Sequence, residues 1–524
     1  MPSLPRLALV LALAALPTRA QLLEQAPPSP VTAAQELSRA VTILDQALLH
    51  QLDGEQWGQV EDEVALGLAR VAAARDAGLS PQTCLPVRRT LEAVGARQAL
   101  LWREVMAEES SWNLGLDEEQ RLAWVDGEYA AAAQGLADLA EDLTYFQGSL
   151  PQTTWLLSEL LFNLGRDGEA ADTLALGLSL WPADADLHGQ VRAWAHVLPN
   201  PEDLANLLDE RVAALDVADA DFAGLALETL SMLQSQIGRA AYNEQRFAVS
   251  GLAFDRAARS LARAATMPRQ WSDDEIAYRR ADNQVSAAYS FLGLALDRWL
   301  EDRGSEEGAQ AAEAAEELLA GALEAVPNHP AASEAVLWLG DYLMTKGDPT
   351  GMTAADQGQA RDFYGRMAAR FEVADWWNNC AFWARETGTA AETAGDVEEA
   401  ERLYEMSYQA YEKTIALAPD NARFVNDTGL MLFYHLGRDA ERAEELFQRA
   451  WGLGREVCEN PFVEEAVFEE NFLAYTDAML NLARLYLTRG ELVAADDMCA
   501  QLLELAPERA DARLTQRAID AARG

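Results

Sequence analysis

His188 and His196 stand eight residues apart, close enough to share one helix face, but no third ligand-type residue is spaced near them. They read as surface or capping histidines rather than as a metal site. Asp184-Ala-Asp186 and Asp219-Ala-Asp221 begin like calcium loops and lack the acidic residue at the loop end, so they read as helix caps. The four cysteines, Cys84, Cys380, Cys458 and Cys499, are scattered singly, with no short-spaced pair for zinc or dithiol chemistry. Cys380 and Cys499 sit on apolar helical faces and read as small hydrophobes. The chain has no Gly-Lys-Ser/Thr phosphate loop, no His-Glu-x-x-His and no Gly-x-Ser-x-Gly, so nucleotide hydrolysis, zinc proteolysis and serine hydrolysis lack their parts. No catalytic residue, metal or cofactor is implied.

The elements that would position any site are helices. Apolar residues recur at intervals of three and four almost everywhere, and runs of Val, Ile or Thr that would make a strand are few. Breaks fall at Ser80-Pro81, Gly148 to Pro151, Trp181-Pro182, Pro199 to Pro201, Met267-Pro268, Pro327 to Pro330, Asp348-Pro349, Pro419, Pro461 and Pro507. Between residues 21 and 150 the pattern predicts helices over about 31–52, 55–77, 87–109 and 117–143.

Internal periodicity is the strongest signal in the chain. Leu157, Leu161, Gly165, Ala170, Leu174, Leu178 and Pro182 match Leu482, Tyr486, Gly490, Ala495, Cys499, Leu503 and Pro507, each at an offset of 325 residues. Ala315-Leu319-Leu323-Pro327 and Ser407-Tyr411-Ile415-Pro419 repeat the second half at the same spacing. Such a pattern describes a helical hairpin. Small residues let two antiparallel helices approach, Gly makes the turn, large apolar residues fill the seam and Pro stops the second helix. One hairpin cannot bury both faces, so such units stack and end in a cap with one polar side, here Asp511 to Arg523 with Leu514 and Ile519 apolar.

These residues resemble the tetratricopeptide repeat (TPR) superfamily. The resemblance is closest over 151–184, with Leu-Phe-Asn-Leu-Gly-Arg-Asp-Gly-Glu-Ala-Ala, and over 476–509, with Asn-Leu-Ala-Arg-Leu-Tyr-Leu-Thr-Arg-Gly-Glu-Leu-Val-Ala-Ala. Ala410 to Asn421 and Leu436 to Ala450 carry parts of the same motif. It implies an all-α, right-handed α-solenoid over 151–509, preceded by a helical region at 21–150 (divergent repeats or a separate cap) and closed by a capping helix at 510–524. The closing prolines lie 92 residues apart (327 to 419) and 88 apart (419 to 507), so two repeats fill each interval at about 44–46 residues, longer than the usual ~34. Asp348 to Ala360 and Glu386 to Val397 are where lengthened helices or inserted turns would absorb the excess.

Through that resemblance the first helix of each hairpin lines a concave groove that receives a protein or peptide. The residues preceding the small-residue pairs would face it: Asn378 and Asn379, Asn426 and Asp427, and Asn481, with Arg385 and Arg484 one turn on. A row of Asn side chains both donates and accepts, as an extended backbone requires, whereas the alternative is a solvated ladder between helices. Among Trp376-Trp377 and Phe382-Trp383, seam packing accounts for most, with Trp377 beside Cys380-Ala381 at the interlock. One exposed Trp could instead anchor a ligand, and Trp338 would approach the same groove. The carboxylate clamps of some TPR proteins need Lys with Asn, and this chain has only Lys346 and Lys413.

Two other readings stand beside an interaction scaffold. Glu108-Glu109-Ser110-Ser111-Trp112-Asn113 is similar to the Glu-Ser-x-aromatic-Asn start of lytic transglycosylases, which would make Glu109 the general acid of a peptidoglycan-cleaving enzyme. The Gly-rich segment that should follow is absent. The other reading is a purely architectural envelope protein.

Of 524 residues, half are apolar and 24% charged, enough for a large core and incompatible with disorder as the main state. A net charge of −44 with two lysines excludes phosphate-backbone binding, so no nucleic acid is expected as partner. Met1 to Arg6, the apolar run Leu7 to Leu16 and Pro17-Thr-Arg-Ala20 have the order of a secretory signal, predicting cleavage after Ala20 and a periplasmic or secreted protein, with an uncleaved anchor as the alternative. No later segment is apolar all round for the ~20 residues that stable membrane insertion needs.

Overall fold

The prolines explain where the helices stop. Helices end at Leu180, Ala325, Leu417 and Leu505, two residues before Pro182, Pro327, Pro419 and Pro507. The residue before each proline is extended, with φ between −140° and −128° at Trp181, Val326, Ala418 and Ala506. Steric conflict with the proline ring excludes the helical region there. The next helix begins three residues after each proline, at Ala185, Pro330, Ala422 and Ala510. A side chain at the junction then caps it, as Asp184 accepts from the Leu187 N–H at 2.9 Å and Asn421 from Phe424 at 3.1 Å.

A computed structural model describes residues 33–52, 56–112, 114–213 and 220–523, and among these every regular element is helical. In chain order they are α1 (Ala33–Leu52), α2 (Trp57–Asp76), α3 (Pro81–Trp112), α4 (Glu118–Thr144), α5 (Pro151–Asn163), α6 (Asp167–Leu180), α7 (Ala185–Trp194), α8 (Pro201–Ala213), α9 (Ala220–Asn243), α10 (Phe247–Ala264) and α11 (Asp273–Glu301). Then come α12 (Glu306–Ala325), α13 (Pro330–Thr345), α14 (Ala354–Phe371), α15 (Ala374–Thr393), α16 (Val397–Leu417), α17 (Ala422–Leu430), α18 (Ala440–Cys458), α19 (Glu465–Thr488), α20 (Leu492–Leu505) and α21 (Ala510–Arg523). The expected signal segment, with Ala20, lies outside the described residues. Among those described, no helix is long and apolar enough to cross a membrane.

Two compact units divide the chain. The first takes described residues up to Glu244 together with Ala253–Arg279, and the second takes Gln245–Leu252 together with residues from Arg280 onward. In the first, α1/α2, α3/α4, α5/α6 and α8/α9 pair, and α1, α3, α5, α7 and α9 also touch in sequence. In the second, α13/α14, α15/α16, α17/α18 and α19/α20 pair, and α17, α19 and α21 touch in sequence. Contact between next-but-one helices is what separates a stack of hairpins from a simple bundle. The fold is an all-α solenoid of TPR-like hairpins.

Both 325-spaced segments build the same turn. At Gly165 φ is +69° and at Gly490 +76°, a left-handed conformation that a Cβ would penalise. Gly165 N–H donates to the Phe162 carbonyl and Arg166 N–H to Leu161, both at 2.9 Å. Gly490 to Leu487 and Glu491 to Tyr486 repeat the pair at 3.0 and 2.9 Å, the paired bonds that close a helix end on glycine. First helices begin at Pro151, Ala185 and Ala220, 34 and 35 residues apart, and later at Pro330, Ala374, Ala422, Glu465 and Ala510, 43 to 48 apart. The longer repeats hold a one-turn helix at Pro349–Gly351 and a 20-residue α15, so both inserted turn and lengthened helix occur.

Two sequence expectations about packing need correction. Trp376, not Trp377, is the seam residue, at 2% exposure, while Trp377 is partly buried with the Lys413 ammonium 4.0 Å from its ring centre. Neighbouring positions on a helix point about 100° apart, and Cys380 and Ala384 continue the Trp376 face into the core. In α21 Ile519 is buried with Ala512 and Thr515, but Leu514 is 62% exposed and does not join the cap's apolar face.

Trp376→Ala is expected to lower unfolding stability by about 3–5 kcal/mol and Trp377→Ala by less than half of that. Urea titration of both variants reads the difference, and equal losses would return Trp377 to the seam.

Candidate functional site

The expected binding residues lie on the first-helix row of the second unit, on α15, α17 and α19, and the structure divides them into three groups. One group is a buried network whose Asn426 amide donates onward to Asp427 Oδ1 at 3.4 Å. The Asn481 amide donates to Asn426 Oδ1 at 3.0 Å, and the Tyr434 hydroxyl donates to Asn481 Oδ1 at 3.0 Å. Arg484 reaches the Tyr434 hydroxyl at 3.4 Å and Thr515 Oγ1 on α21 at 3.2 Å. Asn426 and Asn481 are 3% and 6% exposed, so this bridge is an interior link between adjacent first helices. A buried amide without a partner costs about 1–3 kcal/mol, so the single bond from Asn481 to Asn426 holds α17 and α19 at one relative height.

Tyr434 was not singled out by the sequence. It sits on a π-helical stretch, Met431–Leu436, that continues α17 before Gly437 ends it in a left-handed conformation. The wider turn shifts the side chains beyond α17 out of α-helical register. His435, on the same stretch, lies 4.5 Å from the Tyr404 ring, and burial lowers its pKa.

The second group is open. Arg385, Asp427 and Asn378 are each half-buried. Burial pushes the Asp427 carboxyl up to about 6 against the pull of Arg385 and Arg423. Asn378 Oδ1 is buried and accepts no hydrogen bond, and the Tyr411 hydroxyl, on the second helix of the hairpin, is likewise without a partner. Burial, with Asp427 nearby, pushes the Tyr411 phenol above its ordinary range. Arg385 pairs with its neighbour Glu386 at 3.0 Å and lies 4.9 Å from the Phe382 ring centre.

Asn379 forms the third group alone. It hydrogen-bonds the Tyr364 hydroxyl of the preceding hairpin, apart from both other groups.

Other candidates resolve by burial. Glu108 and Glu109 are exposed near the end of α3, without the apolar pocket a general acid requires. Asn113 lies outside the described residues. His188 is not at the surface or at a cap: it is fully buried, its ring nitrogens bonded to Thr229 Oγ1 at 3.0 Å and the Pro182 carbonyl at 2.8 Å, and burial lowers its pKa to about 4. His196 is exposed. Asp184 caps α7 as its spacing implied, whereas Asp219 lies outside the described residues. Among the described residues no cluster of His, Cys, Asp or Glu could hold a metal, and all four cysteines are free, with Cys84, Cys380 and Cys499 buried.

No protein-family model matches the chain, and no curated protein matches it. Among solved structures it is similar to the crystal structure of the APC/C hetero-tetramer Cut9–Hcn1, at 13% identity over 79% of this chain and 98% of that one, with a TM-score of 0.28. A superposition that weak adds nothing to the fold, which rests on the hairpins themselves.

Asp427 has a pH signature of its own. Its folded pKa lies above the ordinary 3.8, so its contribution to stability is complete below about 4 and lost as the pH passes about 6. Asp427→Asn is expected to remove that fall, gaining roughly 1–3 kcal/mol on wild type between pH 4 and 7. Parallel denaturation curves for the two proteins across this range would assign the titration to another group.

Proposed function

We propose that the protein is a non-catalytic interaction scaffold that holds a protein or peptide segment along the first-helix row of its second unit. The open group supports this reading. Asn378 Oδ1 lacks a donor, and on the same helix α15 the half-buried Arg385 feels the charge of the half-buried Asp427 carboxylate, while Asn481 is paired with Asn426. Buried polar atoms are nearly always paired, so an unmet acceptor at the edge of a row is where a partner's N–H would gain most. A peptide backbone supplies donors and acceptors in alternation, and Arg385 with Asp427 would select among side chains.

The order of charged, apolar and small-residue segments in residues 1–20 supports export, and we infer that the scaffold works outside the cytoplasm. Under that reading the mature chain begins at Gln21.

Cross-linking in cells followed by affinity purification and mass spectrometry tests the proposal. Arg385→Gln and Asp427→Asn are expected to reduce capture of a reproducible partner at least tenfold without loss of helicity. Asn481→Ala should instead cost about 1–3 kcal/mol of stability and leave capture in place. Capture unchanged by the first two variants would remove the site from this row.

A further inference from the structure

The first unit contains a cavity of about 430 Å³ that the binding row of the second unit does not involve. Three first helices line it: α1 through Asp45 and Leu48, α5 through Gln152 and Trp155, and α7 through Asp186 and Trp194, with the capping Asp184 at the junction before α7. Its size is that of a pocket for a small molecule or one large side chain. Trp194 is held in place by stacking on Phe162, ring centres 4.0 Å apart and planes 8° from parallel. With Trp155 and Leu48 it gives the cavity an aromatic and aliphatic wall.

The polar part of the lining sets four carboxylates, Asp45, Glu159, Asp184 and Asp186, against one cation, Arg192. Asp45 takes a hydrogen bond from the Gln152 amide at 2.7 Å, and Asp184 takes one from the Leu187 backbone. Neither of these, nor Asp186, has an ion-pair partner among the described residues. Burial raises the pKa of both Asp45 and Asp184, and the charge of Asp186 raises each further. Gln152, having given its amide to Asp45, leaves Oε1 buried with no donor.

Arg192, the one cation of the lining, is already engaged, and so is Arg97. The Arg192 guanidinium bonds Thr229 Oγ1 at 3.1 Å and Gln270, and faces Glu228 at 3.8 Å with the Trp271 ring below it. Arg97 is bound to Glu159 at 3.3 Å, and Glu159 also accepts from Gln190 at 3.1 Å. What the cavity lacks is therefore a cation free to pair with Asp45, Asp184 and Asp186, and what its walls offer is a face for an apolar stem and an aromatic surface for that cation.

We propose that this cavity binds an alkylammonium or alkylguanidinium group, its stem against Trp155 and Trp194 and its charge among Asp45, Asp184 and Asp186. A lysine or arginine side chain of a peptide and a free aliphatic amine present the same chemistry.

Calorimetric titration of the full chain separates the sources. The probes are acetyl-Gly-Lys-Gly-amide, its norleucine counterpart and 1,5-diaminopentane. Saturable one-to-one binding is expected for the lysine peptide or the diamine and not for the norleucine peptide. Whichever cation binds more tightly identifies the source. Asp45→Asn and Asp186→Asn should each weaken binding at least tenfold; both substitutions keep side-chain size, and Asp45→Asn can still accept from Gln152. Asp209→Asn, an exposed acid away from the cavity, controls for general attraction to an acidic protein and should change nothing. Failure of both cations to saturate, equal binding of the norleucine peptide, or indifference to both cavity variants would overturn the proposal.

Discussion

A helical hairpin of this kind has two apolar faces and can cover only one of them by closing on itself. That constraint governs the rest of the molecule. Leu157, Leu161, Leu174 and Leu178 in the first unit and Leu482, Ala483, Ala495 and Cys499 in the second are all under 5% exposed, although each pair of helices is only a few turns long. The burial comes from the next hairpin as much as from the partner helix. Stability in such a stack is a series of neighbour terms, so a lost seam residue loosens its own repeat and the two beside it before it affects distant ones.

Apolar contact between stacked hairpins is poorly directional, and a ridge can slide by one turn at modest cost. The Asn426–Asn481 bridge supplies the missing register. The Asn481 amide reaches Asn426 only at one relative height of α17 and α19, and Tyr434 and Arg484 extend the lock to Thr515 on α21. The buried polar network thus adds specificity where the hydrophobic seam adds stability. It also explains why residues that share one sequence signature have different roles. Asn426 and Asn481 serve the stack, whereas Asn378 keeps an unmet acceptor.

Features set by local sterics were the legible ones. A proline excludes the helical region for the residue before it, and a left-handed turn favours glycine, so helix ends, turns and the repeat itself could be read from residue types alone. Side-chain facing was less legible. Trp376 and Trp377 are chemically identical neighbours, and only the tilt of α15 against α14 and α16 decides which one enters the seam. An Asn in a buried amide pair looks the same in sequence as an Asn on a groove, so the seven expected site residues could not be sorted without their partners. The π-helical stretch that carries Tyr434 has no turn residue to announce it before Gly437.

Charge balance gives the two unfilled sites their meaning. Acidic residues outnumber Lys and Arg by 85 to 41, and many of the cations are tied to neighbouring helices, as in Arg366 with Glu316 at 2.7 Å, Arg489 with Glu444 at 2.5 Å and Arg298 with Glu307 at 2.8 Å. Exposed pairs of this sort add little stability individually. Their larger effect is to occupy cations, so that surplus carboxylates meet water over most of the surface and meet one another only where the fold gathers them. On an open surface, solvent screens such repulsion within about 10 Å at ordinary ionic strength. Burial raises the pKa of Asp45, Asp184 and Asp427, and at the first two the neighbouring carboxylates raise it further, whereas at Asp427 Arg385 and Arg423 pull the other way. A cation delivered to the cavity would relieve repulsion already present there, whereas an anion would add to it. An acidic stack with few free cations is therefore biased toward basic partners before any shape complementarity is considered.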